Sequence, residues 1–313
     1  MMMVVIGICE RISIRKVRGV DYFSLFNSPY HAHTYGGAMD VYFLWGGEEV
    51  PCLTPGRVVD IRRVRTPSRK FPHEEYDYLI MVKAVERPDL IVRMMHVRPS
   101  VQVGDEIELG NGVGRPLRSG FFDPWTSLHV HLEVKRPEDA LRAKKSFPIK
   151  LEGLSRVSKP FWREEVEGEV LPCEVVFACE DYALASVPSE YIMKVGLFRG
   201  VGVRVGRHFG ILDCGLPHYN RGGVILKEGV EVEQGTPIMF KGVMMGKVCG
   251  KVGSGVTFRV CPLSIMCKGE RIRGVSAFIS LGRCLIKIIP LKRGKPNFRV
   301  GEEVNLEVKG REE

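Results

Sequence analysis

Two histidines alternate in the apolar run Leu128-His129-Val130-His131-Leu132-Glu133-Val134. Residues i and i+2 of a strand share a face, so His129 and His131 stand side by side on one surface. Such a pair can offer one imidazole to a metal and the other to a reaction, since imidazole is both a metal ligand and a base near neutral pH. The same pair can also be satisfied by hydrogen bonds and do no chemistry. What decides between these readings is the company the pair keeps. Three candidates lie upstream: His96, which closes the strand-like run Leu90–His96; Asp40, in the run Asp40–Leu44; and a second alternating pair, His31-Ala32-His33, between Tyr30 and Tyr35.

The elements that must position these residues read as strands. Val4–Ile6, Ile12–Ile14, Gly56–Arg62 and Tyr78–Val85 join the runs above, and Val170–Ala178, Val201–Leu212, Val224–Leu226, Pro237–Val243, Val256–Val260, Ala277–Ile289 and Val304–Val308 continue the pattern in the second half. Only Pro137–Arg142 reads as a helical turn. The 35 glycines and 19 prolines are spread along the chain, as many short strands with tight turns require. A length of 313 residues suggests two domains. The polar, Lys- and Pro-containing stretch from Lys144 to Pro160 marks the boundary, giving domains of 1–150 and 151–313. The strand patterning therefore points to an all-β protein.

The net charge of +9 is divided between the halves. Its one local cluster, Arg57, Arg62, Arg63, Arg65, Arg69 and Lys70, lacks interleaved aromatics and reads as a solvated hairpin rather than a nucleic-acid surface. Nine cysteines without a C-x-x-C read as free thiols in a reducing compartment. Met1–Cys9 reads as a first strand rather than a signal peptide, and no run reaches the ~18 apolar residues of a membrane span. The expected setting is cytoplasmic, with neither a nucleic acid nor a membrane as partner.

Read in order, the candidate residues resemble the lysostaphin-type zinc metallopeptidases over about residues 28–136. His129-Val130-His131-Leu132-Glu133 matches the family's H-L-H-F-E. His96 followed by Val103-Gly104-Asp105-Glu106-Ile107-Glu108-Leu109-Gly110 matches its histidine before a V-x-x-G-D-x-V-x-x-G hairpin, and Val50-Pro51-Cys52-Leu53-Thr54-Pro55-Gly56-Arg57-Val58 matches its G-x-P-V-x-A-x-x-x-G-x-V pair. The resemblance implies a duplicated-hybrid-motif antiparallel β-barrel or sandwich over 1–150, followed by a second β-rich domain. It implies a Zn2+ site with Asp40 and His131 as ligands, His129 beside the nucleophilic water, His96 at the oxyanion, and a peptide or protein substrate. Two imidazoles and one carboxylate leave zinc a fourth position for water, whose pKa the metal lowers.

The chain departs from that pattern at the first ligand. The family places a histidine four residues before the aspartate, where this sequence has Gly36. Either the chain loops back and His33 takes the missing place, which the glycines Gly36-Gly37 permit, or the site has lost a ligand and is degenerate. The functions open at this stage are a zinc-dependent hydrolase, a non-catalytic binding module on the same fold, and a histidine-based phosphocarrier-like protein. Elsewhere, His73 reads as an exposed loop residue. His208, Asp213, Cys214 and His218 lack a ligand spacing, and Lys251–Val256 reads as a β-turn rather than a phosphate loop.

Overall fold

Period-two alternation builds strands, and the computed structural model, which describes residues 4–43, 49–158 and 170–310, is made almost wholly of them. Among the described residues, helical turns are three short 3-10 segments, His31–Tyr35, Pro137–Asp139 and Ser189–Tyr191. Met1–Met3 of the first strand-like run, Leu44 at the end of the run from Asp40, and Lys159-Pro160 of the boundary stretch lie outside the described residues. The chain divides into two units, Met1–Phe23 with His31–Glu152 and Ser24–Tyr30 with Gly153–Glu313. No helix among the described residues is long and apolar enough to cross a membrane.

The first unit contains β1 (Val5–Cys9), β2 (Ile12–Arg15), β3 (Val20–Ser24, its last residue belonging to the second unit), β4 (Met39–Phe43), β5 (Val50–Pro51), β6 (Gly56–Arg65), β7 (Tyr76–Ala84), β8 (Ile91–Met95), β9 (Val97–Pro99), β10 (Glu106–Ile107), β11 (Gly112–Pro116) and β12 (His129–Lys135). Six of them form an antiparallel sheet in the order β10-β6-β7-β8-β12-β4. β9, β11 and β5 form a smaller sheet. β12 lies between β8 and β4, and all seven of its residues are buried. Val130, Leu132 and Val134 occupy one face. His129, His131, Glu133 and Lys135 occupy the other, so a fully polar strand face is shielded from water. Such burial is costly unless each group is hydrogen-bonded or paired, and this requirement organises the site.

The arginine cluster lies mostly on β6, where Arg57, Arg62 and Arg65 pair with Glu106, Asp60 and Glu75, and Arg63 stacks on Tyr76 at 4.3 Å.

In the second unit, β13 (Val157–Ser158), β14 (Val170–Ala178), β15 (Ala183–Ser186) and β16 (Ile192–Val195) precede a closed barrel. The barrel strands are β17 (Phe198–Val205), β18 (His208–Leu216), β19 (Arg221–Ile225), β20 (Pro237–Phe240), β21 (Val243–Val252) and β22 (Gly255–Val260). They pair in the ring β17-β18-β19-β22-β21-β20, and β20 returns to β17. Val203, Val224, Ile238, Phe240, Val256 and Phe258 belong to its apolar core. At about 1.5–3 kcal/mol for each large side chain fully buried, that core is what holds the barrel. Gly223 lies where any side chain would collide with the Phe26 ring, 2.1 Å from an added Cβ. Lys251–Val256 is the tight turn of the β21–β22 hairpin.

Candidate metal centre

β4 and β12 are antiparallel, with Asp40 directly opposite His131. Opposed residues of paired strands project to the same face, their Cβ atoms about 4.5–5.5 Å apart. Asp40 Oδ1 accordingly lies 2.7 Å from His131 Nδ1. The third member comes from the 3-10 turn His31–Tyr35. Gly36 ends that turn at φ +68°, and the Gly37 amide donates back to the Ala32 carbonyl at 2.8 Å. A left-handed residue other than glycine pays roughly 1–2 kcal/mol, which is why glycine suits position 36 of the turn. The fold-back brings His33 Nε2 to 3.3 Å from Asp40 Oδ1 and 3.3 Å from His131 Nδ1. The three donor atoms lie within 4.8 Å of one another and form a group able to hold a metal ion. His31 is exposed on the same turn and lies outside that group.

The remaining sequence candidates flank this group. His129 donates from Nδ1 to the Ser127 carbonyl at 2.8 Å, and its Nε2 is 3.8 Å from Asp40 Oδ1. The His96 ring lies 4.9 Å from that of His129 and 5.9 Å from that of His131. His96 is not in β8. It follows that strand at φ +67°, a strained backbone held by one side chain. Asp77 accepts the His96 main-chain N–H at 3.0 Å and its Nδ1–H at 2.6 Å, leaving Nε2 as the other polar atom of the ring. The Phe122 ring packs 5.2 Å from His96 and 5.0 Å from His129. His33, Asp40 and His131 are only 1%, 4% and 8% exposed.

Glu133, two residues beyond His131 on the same strand face, completes the centre. Its Oε1 is 3.0 Å from His131 Nε2, and it pairs with Arg93 and bonds the Ser146 hydroxyl. Its Oε2 is 3.0 Å from Lys135 Nζ.

Burial opposes charge throughout the centre, and the partners decide which groups ionise. Burial would lift the Asp40 carboxyl, but His33, His129 and His131 outweigh it and hold Asp40 well below the usual carboxylate range. Burial would lower His131, but hydrogen bonds to Asp40 and Glu133 raise it to about 9. His129 lacks such a bond, and burial drives it to about 3, partly offset by Asp40. It is therefore neutral, with its proton committed at Nδ1. Burial also acts against Asp77 and Glu133, whose partners, led by His96 and His131 respectively, keep both carboxyls below their ordinary values.

The other candidates are not assembled into a site. His73 is half-buried rather than exposed, because Nδ1 bonds the Phe71 carbonyl at 2.8 Å. Asp213 holds Ser24–Phe26, Cys214 is buried, and His218 faces Ser276 at 3.4 Å. All nine cysteines are free, six of them buried, while Cys179 is exposed and Cys249 and Cys261 are half-buried. Sequence reasoning had no role for Asp77, Phe122 or Arg93. Glu133 carried a signal, being at i+2 from His131. Asp77 carried none, because its partner is 19 residues away.

Residues 11–151 match the family model described as the domain of unknown function (DUF8155) N-terminal domain, and residues 173–309 match the DUF8155 C-terminal domain. No curated protein matches the chain. Among solved structures it is similar to the NMR solution structure of lysostaphin, at 15% identity and a TM-score of 0.24, over 59% of this chain and 81% of that one.

Proposed function

The chain belongs to the DUF8155 family, with the N-terminal and C-terminal domains in order, and we propose that the first of them is a zinc-dependent hydrolase of peptide bonds. The observation that carries this reading is the donor set His33 Nε2, Asp40 Oδ1 and His131 Nδ1. Four ligands about 2.05 Å from a tetrahedral zinc stand ~3.3 Å from one another. Two of the three separations here are already 3.3 Å, and the third, at 2.7 Å, is a hydrogen bond that gives way when its proton leaves. Two imidazoles and one carboxylate make a catalytic rather than a closed structural set. The motif resemblance of residues 28–136 supports the peptide bond as the substrate.

When bound, zinc supplies Lewis acidity for a carbonyl and acidifies water at its open position. The chain's own residues do the rest. His129, with Nδ1–H fixed on the Ser127 carbonyl, keeps an Nε2 lone pair that would accept a hydrogen bond from the attacking water. His96, with Nδ1–H on Asp77, keeps Nε2 as the ring atom that would meet a substrate carbonyl oxygen. The test is elemental analysis of the purified protein, followed by cleavage assays on peptides with the wild type and with His131→Ala. A protein with no stoichiometric zinc refutes the proposal.

Burial favours one second reading, a non-catalytic zinc module. Phe122 lies against both His96 and His129, and the donors have almost no exposed surface. Zinc-loaded protein that cleaves no peptide and takes up no small hydroxamate supports this reading over hydrolysis.

Two expectations follow for the hydrolase. The first concerns protons. His131 has a pKa raised to about 9 and is charged at pH 7, so its Nδ1 proton must leave before it can ligate. Zinc uptake at pH 7 should release one proton from this residue, and affinity should rise roughly tenfold per pH unit until about pH 9. The metal-free protein shows the opposite sense. The stability due to His131 is full below its ordinary value and is lost as pH rises through about 9. Calorimetry in buffers of different ionisation enthalpy counts the proton, and an affinity that is flat between pH 6 and 9 contradicts the assignment.

The second concerns Asp77. Asp77→Asn keeps the shape but weakens the grip on the His96 ring and its strained backbone. Turnover should fall roughly 100-fold, with KM and zinc content unchanged. Loss of zinc in this variant would mean that Asp77 supports the metal and not His96.

A further inference from the structure

The polar face of β12 buries more charge than a donor set of three residues requires. Glu133, Arg93 and Lys135 are 2%, 4% and 0% exposed. Arg93 is directly opposite Glu133 across the β8–β12 ladder. It pairs with that carboxylate and spends its other amino group on the carbonyls of Ala140 and Arg142, at 2.9 and 3.0 Å. Lys135 reaches Glu133 Oε2 and the Lys144 carbonyl, at 3.0 and 2.8 Å. The Ser146 hydroxyl donates to the same carboxylate. A buried ionic cluster of this kind is no more stable than well-packed apolar residues of similar volume. Stability alone does not explain why it is built around one glutamate.

The geometry does. Glu133 is immobilised by three donors and presents Oε1 to His131 Nε2 at 3.0 Å. We propose that Glu133 is the positioning residue of the metal centre, fixing the proton of His131 on Nε2 and so reserving Nδ1 for the metal beside His33 and Asp40. This rests on the zinc reading given above. An imidazole has two chemically similar nitrogens, and which one ligates is decided by what the other one bonds. A ligating histidine held by a carboxylate through its second nitrogen is also oriented and made more basic. Asp40 cannot do this for His131, because it shares the Nδ1 side and is itself a donor to the metal.

The two nitrogens are resolved by NMR of zinc-loaded protein labelled with 15N at histidine. In the wild type, His131 should show a protonated Nε2 and a metal-bound Nδ1. Glu133→Gln retains an oxygen that can accept the Nε2–H. It should keep that pattern while zinc affinity, measured by competition with a chromophoric chelator, falls about 10-fold. Glu133→Ala removes the acceptor and should lower affinity about 100-fold, with the Nδ1-bound pattern replaced by a mixture. Should the alanine variant fail to fold, the glutamine variant still decides. A wild-type affinity in E133Q, or a His131 bound through Nε2 in the wild type, overturns the positioning role while leaving the zinc site standing. A wild type that binds no zinc overturns both.

Discussion

His33→Ala should leave the protein without stoichiometric zinc, with affinity down by more than about 100-fold, since losing a ligand costs more than losing a supporting residue. Only Asp40 and His131 would remain, and zinc sites are built from three or four protein ligands. The expectation is sharp because the sequence leaves two outcomes open. A histidine four residues before Asp40 would have identified itself, whereas Gly36 stands there. The 3-10 turn resolves the spacing by winding the chain so that a residue seven positions before Asp40 arrives 3.3 Å from its carboxylate. His31→Ala is the matched control. That ring packs at a tilt against Tyr35, 5.2 Å between centroids, and its residue is exposed, so zinc content should not change. Unaltered zinc in His33→Ala would show that the third ligand is not His33, whatever the proximity of the rings.

What could be read from the chain before its structure follows from the range of the contacts. The alternation of His129 and His131 is a local pattern and required a shared face. Its pairing with Asp40 needed a resemblance, because nothing within 90 residues joins them. Asp77 was invisible for a related reason. Its tie to His96 depends on the β7–β8 register and on a left-handed residue just past β8. Such a conformation is not written in the identity of a histidine. The all-β class was legible from period-two patterning, yet closure of the barrel was not. It depends on β17 pairing at one end with β18 and at the other with β20, a tertiary choice that alternation does not encode. The assignment of Ser24–Tyr30 to the second unit was equally hidden. Its apolar and small polar residues give no sign of the carboxylate they meet.

That carboxylate yields the largest expected effect on stability. Asp213 is fully buried in β18. It accepts the Ser24 hydroxyl at 2.7 Å on one oxygen, and the amides of Leu25 and Phe26 at 2.7 and 3.0 Å on the other. Ser24 is engaged again by the Asn27 amide at 2.9 Å. Asp213→Ala removes the acceptor of three buried donors, each loss costing about 1–3 kcal/mol, so the second unit should lose at least about 3 kcal/mol. Asp213→Asn should be much milder. Its single oxygen can take both amides, its NH2 can donate to a rotated Ser24 hydroxyl, and only the charge-assisted share of the bonds is forfeited. Chemical denaturation gives the ranking, and amide exchange at Leu25 and Phe26 gives the location. In the alanine variant those two amides should lose protection well before the barrel strands do. If they exchange as slowly as in the wild type, the segment is held by the packing of Phe26 over Gly223, and the carboxylate contributes little.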